Sequence, residues 1–168
     1  AFKTKNLKKI SKIQNKSFEL SLLLSVPASF GLIFASEEIV SALFGYGSFT
    51  INDVKMTSTA LKFFGYGVPA FALVKILSNF FFARDNTRTP FYISIFIVIL
   101  NIVISISLFS KIGFIIIPLA TSISTWVGVI IYLYLLNKKK SLLLKKNLIL
   151  NFFKILVSTI VMLLILVF

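Results

Sequence analysis

Five apolar runs constrain this chain more than any other feature, each near the length that crosses a bilayer and each parted from the next by a polar or basic turn. About 20 apolar residues cross the hydrocarbon core as a helix, and lipid offers no water to satisfy an open backbone. The runs are Phe18 to Phe44, Thr57 to Phe82, Pro90 to Phe109, Ile112 to Leu136 and Leu148 to Phe168, here spans A to E. Composition agrees, since 58% of the 168 residues are hydrophobic and 19 are Phe, with a mean hydropathy of +0.98. A soluble core of this size could not bury that much apolar surface. The expected fold class is therefore all-α, a polytopic membrane helix bundle with five transmembrane helices.

Charge orients the bundle. The net charge of +13 would point to nucleic acid on a soluble domain, but here most of the excess lies in lysine clusters beside apolar spans. Six lysines precede span A, two arginines join spans B and C, and five lysines join spans D and E, against only Lys55 and Lys111 in the other loops. The positive-inside rule then places the N terminus of this segment in the cytoplasm and the chain's last residue outside. The expected parts are a basic, amphipathic cytoplasmic segment at 1–17, a four-helix unit at 18–136, a basic cytoplasmic loop at 137–147 and an additional lipid-facing helix at 148–168. Leu7, Ile10 and Ile13 share a helical face in the first part, suited to the bilayer surface. A secretory signal is the rival reading of that start, since Phe34-Ala35-Ser36 imitates a cleavage site. Ala1 in place of a start methionine leads us to expect a piece of a longer polypeptide.

Catalysis finds little support. There is no Cys and no His, which removes disulfides, the commonest metal ligand and the usual proton shuttle. The five acids are Glu19, Glu37, Glu38, Asp53 and Asp85, and the adjacent pair points about 100° apart on a helix. No phosphate-cradling glycine loop and no nucleophile elbow occurs. We expect no enzyme activity, no cofactor, no metal and no nucleic-acid partner.

The informative stretch is Gly65 to Pro90, GYGVPAFALVKILSNFFFARDNTRTP. Gly65, Gly67 and Pro69 interrupt the backbone ladder, which lipid tolerates only where neighbouring helices or a wet cavity satisfy the freed groups, so they are hinge candidates. Lys75 lies nine residues before Arg84, roughly 13 Å along a helix, which is long for its stem to reach the inner surface. Asn79 follows one turn later on the same face. A charge at that depth costs from about 2.5 kcal/mol upward unless it meets water or a partner, so a cavity-facing amine is one reading and a snorkelling one the other. Arg84, Asp85 and Arg88 form the turn into span C. They read either as an ordinary solvated loop or as a contact to phosphate, with Asp85 pairing an arginine or capping a helix.

Elsewhere the polar signals are structural. Thr50 and Asp53 fit a capping box starting a helix at Ile51. Pro27 and Gly31 permit a bend in span A, and Ser21, Ser25 and Ser29 give it a small-residue face. Ser94, Asn101 and Ser105 in span C, and Pro118, Thr121, Ser122, Thr125 and Tyr132 in span D, form stripes that fit interhelical bonding or a transport lining. Trp126, in mid-span, reads as a packing residue.

Several short motifs recur in order in the MurJ/MviN lipid II flippases, and the run from about Leu20 to Pro90 resembles the later half of that family. They are Pro27 to Leu32, Leu43 to Thr50, Thr59 to Leu61, Val74 to Leu77 and Phe82 to Pro90; spans C to E agree in hydropathy and loop charge alone. The resemblance implies fourteen helices in two pseudo-symmetric lobes with a cavity between them, spans A to E being the ninth to thirteenth. It implies export of the undecaprenyl-pyrophosphate-linked peptidoglycan precursor, lipid II, across the bacterial inner membrane by rocking of the lobes. The implied partners are that lipid, membrane lipids and the N-terminal half of the same protein. The family's cavity arginines come mostly from the first lobe and the eighth helix and find no counterparts here. Lys75, Asn79, Arg84, Asp85 and Arg88 are thus substrate or cavity candidates by location. Another lipid-linked oligosaccharide or drug exporter of the same superfamily, and an integral-membrane prenyl-phosphate transferase, are the alternatives.

Overall fold

The computed structural model describes residues 2–138 and 147–167, so the core of the lysine-rich loop expected at 137–147 lies outside the described residues. The described chain forms α1 (Phe2–Phe34), α2 (Ser36–Phe44), α3 (Ile51–Gly65), α4 (Val68–Phe82), α5 (Arg88–Ile112), α6 (Ile116–Lys138) and α7 (Asn147–Val167). Span A becomes α1 plus α2, span B becomes α3 plus α4, and spans C, D and E are α5, α6 and α7. The stretches Lys9–Phe34, Ile51–Phe82 and Arg88–Lys138 are long and apolar enough to cross a membrane. The last of these doubles back at Gly113, whose φ of 73° suits a residue without Cβ. Asn101 of α5 donates to Thr121 of α6 at 2.8 Å, and Tyr132 of α6 donates to the Pro90 carbonyl at 3.4 Å, contacts that fix an antiparallel hairpin.

One expectation about span A needs correction. The basic lead is not separate from the span, because α1 runs unbroken from Phe2 through Pro27 to Phe34. The interruption of the span falls at Ala35 (φ −105°, ψ 22°), past Pro27 and Gly31. It leaves the ladder largely intact, since Ala35 N–H still donates to Gly31 and Ile39 N–H to Ala35. Ser36 and Val40 of α2 are buried, and α2 packs on α3. The capping box forms as expected: Asp53 N–H donates to Thr50 Oγ1 at 3.2 Å and Thr50 N–H to Asp53 Oδ2 at 2.9 Å.

The helices lie in a row. α7 packs on α1, α1 on α3 and α4, these on α6, and α6 on α5. One apolar core runs through the row from Ile155 and Phe18 through Leu73, Leu77 and Phe81 to Val129, Tyr132 and Leu136. Lipid tails are as apolar as leucine, so burial alone does not hold such helices together. Close packing and interhelical hydrogen bonds do. At Gly128 a Cβ would overlap the Ile97 side chain, so the residue type itself sets how near α5 and α6 approach.

Candidate functional site

The middle of the row is a broken helix whose loose ends are tied from both sides. Pro69 has no N–H to give the Gly65 carbonyl, and Ser29 Oγ of α1 donates to that carbonyl at 2.7 Å. Gly67 N–H turns to Phe64 at 2.9 Å, which frees Phe63, and Ser122 Oγ of α6 donates to the Phe63 carbonyl at 2.7 Å. Trp126 Nε1 donates to the Tyr66 carbonyl at 3.0 Å. The expectation that neighbouring helices satisfy the freed groups is met, and Trp126 does more than pack. Interhelical bonds of this kind average about 0.6 kcal/mol, so the three hold the break with roughly 2 kcal/mol. Gly65 and Gly67 are needed for nearness: a Cβ would come within 2.9 Å of Ile33 at the first and 2.6 Å of Ser122 Oγ at the second.

Below the break, α4 has two unlike faces. Ala70, Leu73, Leu77 and Phe81 are buried in the core. Phe71, Lys75, Asn79 and Phe82 are exposed on the opposite side, so Lys75 and Asn79 share the open face that their spacing implied. On one flank of this face a cleft of about 480 Å³ opens between α4 and α5, with Ser78, Thr87, Arg88 and Ser94 among its walls and Tyr132 beside them. On the other flank a groove of about 500 Å³ runs between α1 and α4, where Ser17, Ser21 and Ser25 face Ala72 and Ile76. The face thus offers an amine and a carboxamide within the span and a guanidinium at its basic end. Among the described residues no group of three or more His, Cys, Asp or Glu could hold a metal.

The turn from α4 to α5 separates the other candidates. Asn86 N–H donates to Phe81 at 3.1 Å and Asp85 N–H to Phe82 at 3.0 Å, a Schellman ending. Asp85 takes the left-handed position (φ 55°) where glycine is the usual choice. The side-chain cap of α5 falls to Asn86, whose Oδ1 accepts from Thr89 N–H at 3.1 Å, so the capping role considered for Asp85 belongs one residue later. Arg88 lines the cleft beside the open face, whereas Arg84 lines a different one with Ile10, Ile13, Gln14 and Phe80. Lys75 and Asn79 share the open face of α4, and Arg88 and Arg84 line clefts on its two flanks, neither of which includes Lys75 or Asn79.

A row of apolar helices, one of them broken in mid-span and carrying an amine on its open face, defines an integral membrane protein of the polytopic helix-bundle class. The family model described as lipid II flippase MurJ matches residues 1–168, and the chain belongs to that family. The likeness covers the whole chain, beyond the Leu20 to Pro90 stretch that carries the motifs. A probable lipid II flippase MurJ of Rickettsia prowazekii is 36% identical over 140 residues, covering 83% of this chain and 28% of that protein. The lipid II flippase MurJ of Thermosipho africanus is 33% identical over 149 residues, covering 89% of this chain and 30% of that protein. A solved structure of lipid II flippase MurJ in an inward closed conformation superposes with a TM-score of 0.81 at 31% identity, over 96% of this chain and 33% of that one. The chain spans under a third of the two relatives and a third of the solved structure.

Proposed function

We propose that this chain is the later-lobe part of a lipid II flippase, which moves an undecaprenyl-pyrophosphate-linked peptidoglycan precursor across the bacterial inner membrane by alternating access. The supporting observation is the pairing of family membership over residues 1–168 with an open α4 face that carries Lys75 and Asn79 opposite the core. The physical task is to pass a sugar-pyrophosphate headgroup through a layer of low dielectric while its prenyl tail stays in lipid. A cationic, hydrated wall does the first, and Lys75 with Arg88 at the mouth supplies part of one.

In this reading the lysine-rich end is cytoplasmic, residues 1–17 carry α1 out of the membrane on that side, 18–136 form the lobe and α7 is an added helix at its edge. The remaining wall comes from the rest of the polypeptide. The work is transport, with binding and reorientation in place of bond chemistry. Complementation tests it: the full polypeptide with Lys75→Ala, expressed at normal levels while the native flippase is depleted, supports growth poorly, and Lys75→Arg restores it. Full growth with Lys75→Ala removes Lys75 from the mechanism.

A further inference from the structure

α7 is fastened to α1 at the basic end by a polar contact that the transport reading does not use. Asn151 Nδ2 donates to Glu19 Oε1 at 2.7 Å. Around it a cleft of about 280 Å³ opens between the two helices, with Lys16 and Lys154 on its walls and Leu23 and Ile155 in its apolar part. Both lysines are exposed, and neither has an ion-pair partner among the described residues. Lys154 lies seven residues past Asn147, the first residue of α7, roughly 10 Å along the axis, and lines the same cleft as Lys16 of α1.

We infer that this cleft binds an anionic phospholipid, its phosphate between the Lys16 and Lys154 ammonium groups and one acyl chain along Leu23 and Ile155. Charge complementarity favours this occupant. Among the described residues lining the cleft Glu19 is the one carboxylate, and it keeps its charge while accepting from Asn151, so two ammonium groups against one carboxylate leave the cleft net positive. A basic head over an apolar floor between two membrane helices matches a phospholipid in both its parts, whereas a soluble anion has no use for the floor. The site stands on α1 and α7 alone, away from the α4 face, so its failure and a failure of transport are separable.

The test uses the full polypeptide carrying this segment, purified in zwitterionic detergent, with retained lipid measured by native mass spectrometry. Phosphatidylglycerol is expected to be retained over phosphatidylcholine of the same acyl chains, and the preference to weaken about fivefold for each lysine changed in Lys16→Gln and Lys154→Gln. Lys16→Arg with Lys154→Arg keeps the preference, as does Lys111→Gln at the far end. Four results overturn the assignment: an undiminished preference in the double Gln variant; loss in the double Arg variant, which makes the lysines packing residues; displacement by millimolar inorganic phosphate, which makes the site one for free anions; and displacement by equimolar undecaprenyl phosphate, which gives the groove to the transported lipid.

Discussion

Ser29 Oγ stands 2.7 Å from the Gly65 carbonyl, in the role that the N–H of residue 69 would play if that residue were not proline. A hydroxyl on one helix thus completes the ladder of another in a solvent that cannot. Removing it by Ser29→Ala is expected to lower stability by about 0.6 to 1.7 kcal/mol. The clean check is a double-mutant cycle with Pro69→Ala, read by thermal unfolding of the full polypeptide in detergent. Restoring the N–H at 69 makes Ser29→Ala cost less; equal costs in both backgrounds would mean the hydroxyl does not substitute for the missing donor.

The glycines of the break answer to space. Gly67→Ala sets a methyl against Ser122 Oγ and the Phe71 ring, and is expected to cost about 1 to 3 kcal/mol by overpacking. Gly31→Ala meets nothing within 4 Å and is expected to be neutral or slightly stabilising, since alanine is the better helix former. Comparing their unfolding temperatures separates nearness from flexibility. Equal effects at the two positions would contradict a packing role for Gly67.

Span positions, the capping box and the break were legible because each rests on local chemistry: apolar run length, a Thr and an Asp three apart, a proline lacking its donor. The open face of α4 was legible for the same reason, since Lys75 and Asn79 lie one turn apart in a regular helix. The divergence of Arg84 and Arg88 was not, because the turn between them resets the helical angle. Nor was the break at Ala35, which carries neither glycine nor proline. Asn151 meeting Glu19 depends on how α7 docks across 132 residues of sequence, and no local pattern encodes that. The partner of Trp126 was hidden likewise, for the freed carbonyl it caps belongs to Tyr66, sixty residues earlier in the turn between α3 and α4.

Asp85 has a backbone role that can be told from a charge role. At φ 55° any side chain with a Cβ is strained, so Asp85→Ala keeps the strain and Asp85→Gly relieves it, a difference of about 1 kcal/mol in favour of glycine. Growth supported by Asp85→Gly at wild-type level assigns the residue to the turn. Loss of growth with Asp85→Gly at normal expression would show that the carboxylate itself is used.

Asn101 and Thr121 join α5 to α6 at 2.8 Å, and Thr121 also donates to Ile117 at 2.8 Å. Asn101→Leu and Thr121→Val are expected to couple by about 0.6 kcal/mol in a cycle, the usual worth of such a pair in lipid. Strict additivity would show that the contact contributes nothing to holding the hairpin closed.

The most direct measurement is the water accessibility of the α4 face in the assembled protein. This chain contains no cysteine, so single cysteines in it report without background from its own sequence. Placed in the full polypeptide in inside-out membrane vesicles, Lys75→Cys and Asn79→Cys should react with a charged, membrane-impermeant thiol reagent about as readily as Thr87→Cys in the exposed turn at the basic end. Val157→Cys on the outer side of α7 should stay unmodified. Cysteines at 75 and 79 as inert as the one at 157 would place that face against lipid or packed protein, and would contradict a hydrated path along α4.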